Sequence, residues 1–298
     1  MLRIALLRRQ IFGAERFPYI CWWICNIDLE ALLGDNGNGA FVGHMLNHDL
    51  IPPPSFHLFP LGDDGSSVVY PEETQSLPIV LQLDYEVTLH AIRMGLLAHE
   101  FRTDDSFDSA NVQQRALVIK IRQSRILDIQ EGLRRLWTVP AVQSLMQMQL
   151  PLRSQRLFHH AWTMYRGCVI YSHTSMWPGQ RADISPEFET EITGAAQQII
   201  QVAQAILASG TYCSNFLVFP LFMAGYASTM GTQKLMALEL ISKIEAKSLG
   251  CNTHATKVAL EAIYEQQNQR FLSTGQSLDV DWLQTIAARG LSIVNFGL

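Results

Sequence analysis

The chain has 298 residues, of which 48% are hydrophobic and 16% are charged, and this composition suits one large soluble globular unit or two small ones. Its formal net charge is −5 at pH 7, with 22 lysines and arginines against 27 aspartates and glutamates. Because affinity for DNA depends largely on basic side chains that meet phosphates, this balance excludes direct nucleic acid binding by this chain alone.

Apolar residues recur at a spacing of three or four along most of the chain, which predicts α-helices. The first predicted helix begins at residue 1 with no capping residue before it. The chain is therefore expected to be a piece of a longer domain, or the product of a gene whose start has been trimmed. The predicted helical segments are residues 1–33, 76–101, 110–137, 153–172, 186–208, 231–249 and 253–273.

The stretch between the first two predicted helices, residues 34–75, is rich in Gly, Pro and Asp. This composition is typical of an irregular surface excursion within one domain, and not of a hinge between domains. Strand signals are almost absent, apart from a short "SSVVY" at 66–70. The sequence therefore predicts a single all-α domain over residues 1–298, an irregular bundle of roughly ten helices.

Two features predict a soluble protein of the cytoplasm. The most apolar run, residues 216–227, contains Pro220 and Gly225 and is too short to span a bilayer, so no membrane span is expected. The five cysteines lack the dense spacing of a zinc cluster. They are expected to be buried free thiols of an intracellular protein.

The first candidate site is the "MGTQK" at 230–234. A loop of small residues, 225–229, is predicted to open a helix that carries Lys234 one turn in, with Met230 one turn before it on the same face. A helix start carries partial positive charge and free N–H donors, which favour acidic residues over a cation. Two explanations stay open: Lys234 is an ordinary surface residue, or it binds an anion.

The second candidate site is "TDDSFD", in which Asp104, Asp105 and Asp108 have the DDxxD spacing of the metal motif of class I terpene cyclases. Carboxylates are the ligands that Mg²⁺ prefers. The same acids also suit the start of the helix predicted from residue 110, so a role in helix stabilisation is the alternative. The other candidate metal ligands are Asp84, Glu86 and Glu100.

Five phrases stand out together along the chain. They are "ERFPYICWWICNIDLEALLGDNGNGAFV", "CVIYSHTSMWPGQR", "LVFPLFMAGYAS", "KSLGCNTHATKVALEAIYEQQNQRF" and "SLDVDWLQTIAARGLSIVNFGL". Together they resemble the helical regulatory domain of fungal binuclear-zinc-cluster transcription factors, over essentially the whole chain. The resemblance implies an all-α fold without fixing the function. The six-cysteine zinc module expected before such a domain has no counterpart in this sequence. His173, in the second phrase, is predicted to be a hydrogen-bonding residue that holds the fold.

Within that fold, Met230 and Lys234 are similar to a pair found in the non-standard humulene-forming terpene cyclases of fungal tropolone–sesquiterpenoid pathways. The resemblance implies Mg²⁺ as cofactor, farnesyl diphosphate as substrate, Lys234 as the residue that grips the diphosphate, and Met230 as a residue that shapes the product. Ionisation leaves a carbocation that needs a dry aromatic pocket. The residues expected to line this pocket are Phe219, Phe222 and Tyr226, together with Phe216, Trp162 and Tyr165.

Two functional hypotheses follow. The leading one is a magnesium-dependent sesquiterpene cyclase that converts farnesyl diphosphate to humulene or a close relative. The competing one is a non-catalytic regulatory domain, which binds a partner or senses a small molecule for transcription and resides in the nucleus. A homodimer is compatible with either hypothesis.

Overall fold

Helices make up most of the part of the chain that the structure describes. The computed structural model describes residues 18–51, 70–104, 112–210, 215–247, 252–275, 280–293 and 296, and within these residues there are eleven α-helices and no strand. The all-α prediction is confirmed. The helices are α1 (Pro18–Leu33), α2 (Ala40–Asn47), α3 (Leu77–Arg102), α4 (Val112–Leu136), α5 (Pro140–Leu145), α6 (Leu152–Thr174), α7 (Pro186–Ser209), α8 (Val218–Ala227), α9 (Gly231–Glu245), α10 (Asn252–Thr274) and α11 (Trp282–Ala288).

The seven predicted helical segments correspond to α1, α3, α4, α6, α7, α9 and α10. Residues 1–17 of the first segment lie outside the described residues. Short 3₁₀ turns, which the sequence did not predict, occur at Pro71–Glu73, Gln180–Asp183 and Asn215–Leu217. Among the described helices, none combines the length and the hydropathy needed to cross a bilayer.

The prediction of an irregular excursion over residues 34–75 missed α2. This helix forms because Val42 and Met45 lie one turn apart and are both fully buried. The carboxylate of Asp28 on α1 accepts the N–H of Val42 at 2.9 Å, which ties the start of α2 to α1. Residues 52–69, which hold most of the strand signal, lie outside the described residues.

The predicted loop over residues 225–229 is also corrected. Gly225, Tyr226 and Ala227 are the last residues of α8, and only residues 228–230 connect it to α9. Gly225 lies within α8, where it allows a close helix–helix contact, and it does not form a turn. A Cβ at this position would lie 2.5 Å from the Tyr264 hydroxyl and 3.0 Å from Cβ of Ala237, so only glycine lets α8 approach α9 and α10 this closely.

The core is built around α8, of which every residue is buried. This helix packs against α6 and α7, which precede it, and against α9 and α10, which follow it. Burial of an aromatic side chain such as Phe219 or Phe222 contributes roughly 1.5–3 kcal/mol to stability. Three cysteines, Cys21, Cys25 and Cys168, are buried free thiols as expected, whereas Cys213 and Cys251 lie outside the described residues.

Backbone hydrogen bonds close both ends of α7. Ser185 precedes the helix, but its hydroxyl makes no capping hydrogen bond, and its backbone carbonyl instead accepts the N–H groups of Phe188 and Glu189. Gly210 ends α7 in the left-handed conformation, with φ of 62°, which glycine adopts without strain.

Candidate functional site

Lys234 lies in the first turn of α9, where its N–H donates to the carbonyl of Met230 at 3.1 Å. Its side chain is partly buried, and Nζ donates a hydrogen bond of 2.8 Å to Oε1 of Gln267 on α10. The ammonium also stands 5.4 Å from the centre of the Tyr264 ring, whose hydroxyl donates to the carbonyl of Lys234 at 3.1 Å. The Lys234 side chain is therefore held by contacts with α10 and is not freely solvated.

The electrostatic surroundings of Lys234 are positive. Burial lowers the pKa of its ammonium from the usual value, and the charge of the nearby Arg181 lowers this pKa further. Arg181 is itself buried and lies 3.6 Å from the carboxylate of Glu189. Within the described part of the chain, no carboxylate pairs with Lys234. The charge that acts on Lys234 is therefore that of Arg181, which the Glu189 carboxylate partly neutralises.

Arg181 and Gln267 donate hydrogen bonds to backbone carbonyls at the C-terminal end of α8. Arg181 donates to the carbonyl of Ala227 at 3.4 Å, and the amide of the fully buried Gln267 donates to the carbonyl of Tyr226 at 3.1 Å. The last carbonyls of a helix lack partners within that helix and carry partial negative charge, so cationic and amide donors are favourable there. Lys234 and Arg181 thus have a structural role that needs no ligand.

The expected substrate-binding residues do not meet at one surface. Met230 is 56% exposed at the start of α9, whereas Phe219, Phe222 and Tyr226 have almost no exposed surface. The Phe222 ring lies 5.0 Å from that of Trp282, and the Tyr226 hydroxyl donates to the carbonyl of Val280 at 3.0 Å. The three rings of α8 are therefore packed against the C-terminal part of the fold.

The remaining aromatic residues expected at the pocket lie elsewhere. Trp162 and Tyr165 pack against Trp137, with ring centres 4.7 and 5.2 Å away. Phe216 lies edge-on to the imidazole of His160 at 5.5 Å. These contacts are those of an aromatic core, in which rings pack against each other.

The expected metal ligands that the structure describes have other partners. Asp104 forms an ion pair of 3.1 Å with the buried Arg122, while Asp105 and Asp108 lie outside the described residues. The alternative ligands are paired as well: Asp84 with His160 at 2.6 Å, Glu86 with Gln82 at 2.8 Å, and Glu100 with Arg125 at 2.8 Å. Among the described residues, no group of three His, Cys, Asp or Glu side chains converges on one point. The described residues therefore offer no preformed cluster of carboxylates for a magnesium ion.

A cavity of about 170 Å³ lies between α4, the end of α6 and the start of α7. Its walls are largely apolar, with a group of amide, hydroxyl and imidazole side chains on one side. The lining residues are Ile119, Gln123, Ile126, Leu127, Gln130, Ser172, His173, Trp177, Gln180, Ile184, Ser185 and Phe188.

The polar side of this cavity is a chain of hydrogen bonds. Gln130 Nε2 donates to the Ser172 hydroxyl at 2.7 Å, and that hydroxyl donates to the carbonyl of Val169 at 2.7 Å. His173 Nε2 lies 3.1 Å from the carboxylate of Glu191, in keeping with its predicted role in holding the fold. The hydrogen bond from His173, with further ones from Arg134, lowers the pKa of the Glu191 carboxyl to about 2.

A larger cavity, of about 420 Å³, opens between α10, α11 and the turn before α7. Most of its lining residues have polar side chains, and its one carboxylate, Asp281, already caps α11 by accepting the N–H groups of Leu283 and Gln284. The cavity is bounded by Arg181 but not by Lys234 or by the rings of α8. The lining residues are Gly179, Arg181, Gln266, Arg270, Val280, Asp281, Gln284, Thr285 and Ala288.

Two residues that organise these sites, Gln130 and Gln267, were missed by sequence reasoning. Gln130 stands at helical spacing between the buried Ile126 and Leu133. A polar residue on an apolar helix face is a usable signal, because a buried amide must find hydrogen-bond partners. Gln267 lies between exposed polar neighbours, and its sequence context carries no comparable signal.

Comparison with known proteins gives one match. Residues 97–296 match the family described as the fungal specific transcription factor domain, and this range is more than half of the chain. No curated protein and no solved structure matches the chain. The matched range includes the last six residues of α3 and all helices from α4 to α11, and therefore both cavities and Lys234. The chain belongs to the fungal specific transcription factor domain family.

Proposed function

We propose that the chain is a non-catalytic regulatory domain of a fungal transcription factor. The observation that carries this proposal is the packing of Phe219, Phe222 and Tyr226, whose rings are buried against other core side chains and line neither cavity. A cyclase needs a dry apolar space in which its carbocation folds. A regulatory domain needs a stable helical core and surfaces that respond to a partner or a ligand. The family match supports the same function.

A reporter experiment tests this proposal. The chain is fused to a heterologous DNA-binding domain in a fungal host, and expression from the matching promoter is compared with that of the DNA-binding domain alone. We expect a change in reporter output that is lost in Ala224→Asp, because a carboxylate at this fully buried position of α8 disrupts the core. Equal output from the fusion, the core variant and the bare DNA-binding domain would remove the support for a regulatory role.

One observation favours cyclisation of farnesyl diphosphate as a second candidate function. The partly buried Lys234 stands near Arg181, and both cations can stabilise a diphosphate when its C–O bond breaks and the anion leaves with the electron pair. The Mg²⁺ that such a reaction requires has no cluster of ligands in the described part of the chain. The regulatory function is therefore the better supported of the two.

The cyclase hypothesis has a direct test with a matched control. Purified protein is incubated with farnesyl diphosphate and Mg²⁺, and the extract is analysed for hydrocarbons. The regulatory proposal predicts none. If a hydrocarbon forms with the wild type and with Lys243→Ala, but not with Lys234→Ala, the chain is an enzyme. Lys243 is a suitable control because it is an exposed residue of the same helix. Among the described residues, its only ion pair is with Glu239 on that helix.

A further inference from the structure

Arg166 on α6 is a partly buried cation without a counter-ion. Among the described residues, every other arginine that is buried or partly buried pairs with a carboxylate: Arg102 with Asp35, Arg122 with Asp104, Arg134 with Glu191, Arg153 with Glu73 and Arg181 with Glu189. Arg166 forms no ion pair and no hydrogen bond with any residue that the structure describes. Removal of a charge from water is costly unless the charge is paired, so this exception needs an explanation.

Two aromatic rings hold the guanidinium of Arg166. Its central carbon lies 4.5 Å from the centre of the Trp162 ring and 4.9 Å from that of the Tyr165 ring. These cation–π contacts fix the position of the guanidinium, but they give its N–H groups no oxygen to donate to. Burial lowers the pKa of Arg166, and the charges of Tyr165 and Glu191 offset this effect only in part.

The terminal nitrogens of Arg166 remain accessible to a ligand. Nε is enclosed by protein and has no partner, whereas Nη1 and Nη2, which have no partner among the described residues either, are not enclosed. A planar guanidinium that is held by rings and accessible at its outer end can donate two parallel hydrogen bonds to one carboxylate.

The carboxylate of this chain that acts on Arg166 is already engaged. Glu191 accepts two hydrogen bonds from Arg134, at 3.0 and 3.1 Å, and lies 3.1 Å from His173 Nε2. Arg166 feels the charge of Glu191 but forms no ion pair with it. Two arginines therefore share one carboxylate, and this leaves a local surplus of positive charge that favours an anionic partner.

The surroundings of Arg166 favour a peptide over a small molecule. Arg166 lines neither of the two cavities described above. Phe158, Trp162 and Arg166 follow at intervals of four residues on α6, so they form a stripe about 12 Å long, and each is partly buried. Aromatic residues and arginine are the types enriched at protein–protein interfaces. The net charge of −5 disfavours a nucleic acid as the partner.

We propose that the stripe of Phe158, Trp162 and Arg166 is a docking site for an acidic peptide segment of a partner protein. One carboxylate of the segment binds Nη1 and Nη2 of Arg166, and an apolar side chain next to it covers Trp162. The segment thus gives Arg166 the kind of partner that the other arginines named above find within the chain. This inference goes beyond the regulatory function and does not depend on it.

The test uses two fluorescently labelled synthetic peptides, blocked at both ends. One consists of three Asp-Leu repeats, and the other has Asn in place of every Asp. Binding to the purified chain is measured by fluorescence anisotropy. We expect saturable binding of the acidic peptide, at least about fivefold tighter than that of the amide peptide and weakened by added salt. The proposal is overturned if the acidic peptide does not saturate, if both peptides bind equally, or if a single-stranded oligonucleotide binds more tightly.

Three variants of α6 locate the binding. Arg166→Gln should reduce the affinity for the acidic peptide to that for the amide peptide. Arg156→Gln removes the same charge from an exposed position of the same helix and should leave the affinity unchanged. Equal affinities in these two variants overturn the proposal. Arg166→Lys decides the matter if Arg166→Gln does not fold: it keeps the charge without the planar fork, so a lower affinity than that of the wild type supports the proposal and an unchanged one overturns it.

Peptide docking is separable from the regulatory function. Anisotropy reports on the stripe of α6, whereas the reporter fusion reports on transcription. If the acidic peptide binds through Arg166 and the reporter is silent, the docking site stands and the regulatory proposal fails. If the reporter responds and the acidic peptide does not bind, the reverse holds.

Discussion

Lys234 and Gln267 join α9 to α10 through a hydrogen bond of 2.8 Å from Nζ to Oε1. The amide of Gln267 in turn donates to the carbonyl of Tyr226 at the end of α8. Lys234 thus holds Gln267 in place, and Gln267 supplies a hydrogen bond to a carbonyl at the C-terminal end of α8. This contact explains why a cation lies in the first turn of α9, where the helix dipole disfavours it.

Replacement of Gln267 tests this structural role. Gln267→Met keeps the volume but removes the amide that donates to the Tyr226 carbonyl, so the free energy of unfolding should fall by about 1–3 kcal/mol. Lys234→Met removes only the hydrogen bond from a partly exposed ammonium to Gln267, and it should lower the free energy of unfolding by less than about 1.5 kcal/mol. Urea unfolding followed by circular dichroism measures both. Gln269→Met, at an exposed position of α10, is the control, and equal midpoints for the two glutamine variants would contradict the role.

Gly225 allows a second prediction. Gly225→Ala places a methyl group 2.5 Å from the Tyr264 hydroxyl, which forces α8 and α10 apart and should lower stability by about 1–3 kcal/mol. Gly194→Ala, in the middle of α7 with open space around it, should instead raise stability by about 0.5–1 kcal/mol through helix propensity. Thermal unfolding distinguishes the two, and a stabilising Gly225→Ala would refute the close contact.

A double variant locates the source of that strain. Tyr264→Phe removes the hydroxyl that the new methyl group meets, so Gly225→Ala should cost less stability in this background than in the wild type. The difference between the two backgrounds is the coupling energy of a double-mutant cycle. If the two substitutions are additive, the clash lies with Ala237 or Leu260 and not with Tyr264.

The buried Glu30 predicts a dependence of stability on pH. Burial raises the pKa of its carboxyl to about 7, although the N–H of Phe296 and the charge of His160 act in the opposite direction. Between pH 4.5 and pH 7, the folded state keeps a proton that the unfolded chain releases. The free energy of unfolding should therefore fall as the pH rises through this window, by roughly 2–4 kcal/mol.

Glu30→Gln isolates this contribution. The amide stays neutral and keeps an oxygen for the N–H of Phe296, which Glu30 accepts at 2.9 Å. Urea unfolding at pH 5 and pH 8 should show the variant gaining stability over the wild type as the pH rises. The exposed Glu187→Gln serves as the control. A difference between Glu30→Gln and the wild type that does not change with pH would contradict the raised pKa.

The three buried thiols should react slowly. Burial raises the pKa to about 11 for Cys21 and to about 12 for Cys25 and Cys168, so almost no thiolate is present at pH 8. Alkylation at pH 8, mapped by mass spectrometry, should label these three residues only after urea is added. Rapid labelling of Cys168 in the folded protein would show that α6 opens easily.

Sequence reasoning located the helices but not the purpose of the aromatic residues. The rings of Phe222 and Tyr226 were interpreted as a pocket lining, and they pack instead on Trp282 from a distant part of the chain. An apolar ring has the same sequence signature whether it faces a cavity or another side chain. Only the arrangement of the helices decides between the two.

The preference of a helix start for acidic residues marks Lys234 as unusual, but this preference does not explain why a lysine is present there. Its partner Gln267 belongs to the next helix, and the carbonyl that they serve belongs to the helix before. Such contacts depend on the close approach that Gly225 allows, which the sequence presented as a loop. The error at Gly225 and the incomplete account of Lys234 therefore have the same origin.

The position of α8 in the chain has a consequence for synthesis. Its ten residues are covered by α6 and α7, which leave the ribosome earlier, and by α9 and α10, which leave it later. Until α10 has emerged, one side of an almost wholly apolar helix remains uncovered. A chain that is truncated between α8 and α10 should therefore be bound by chaperones or degraded by proteases, and should not fold to a stable shorter protein.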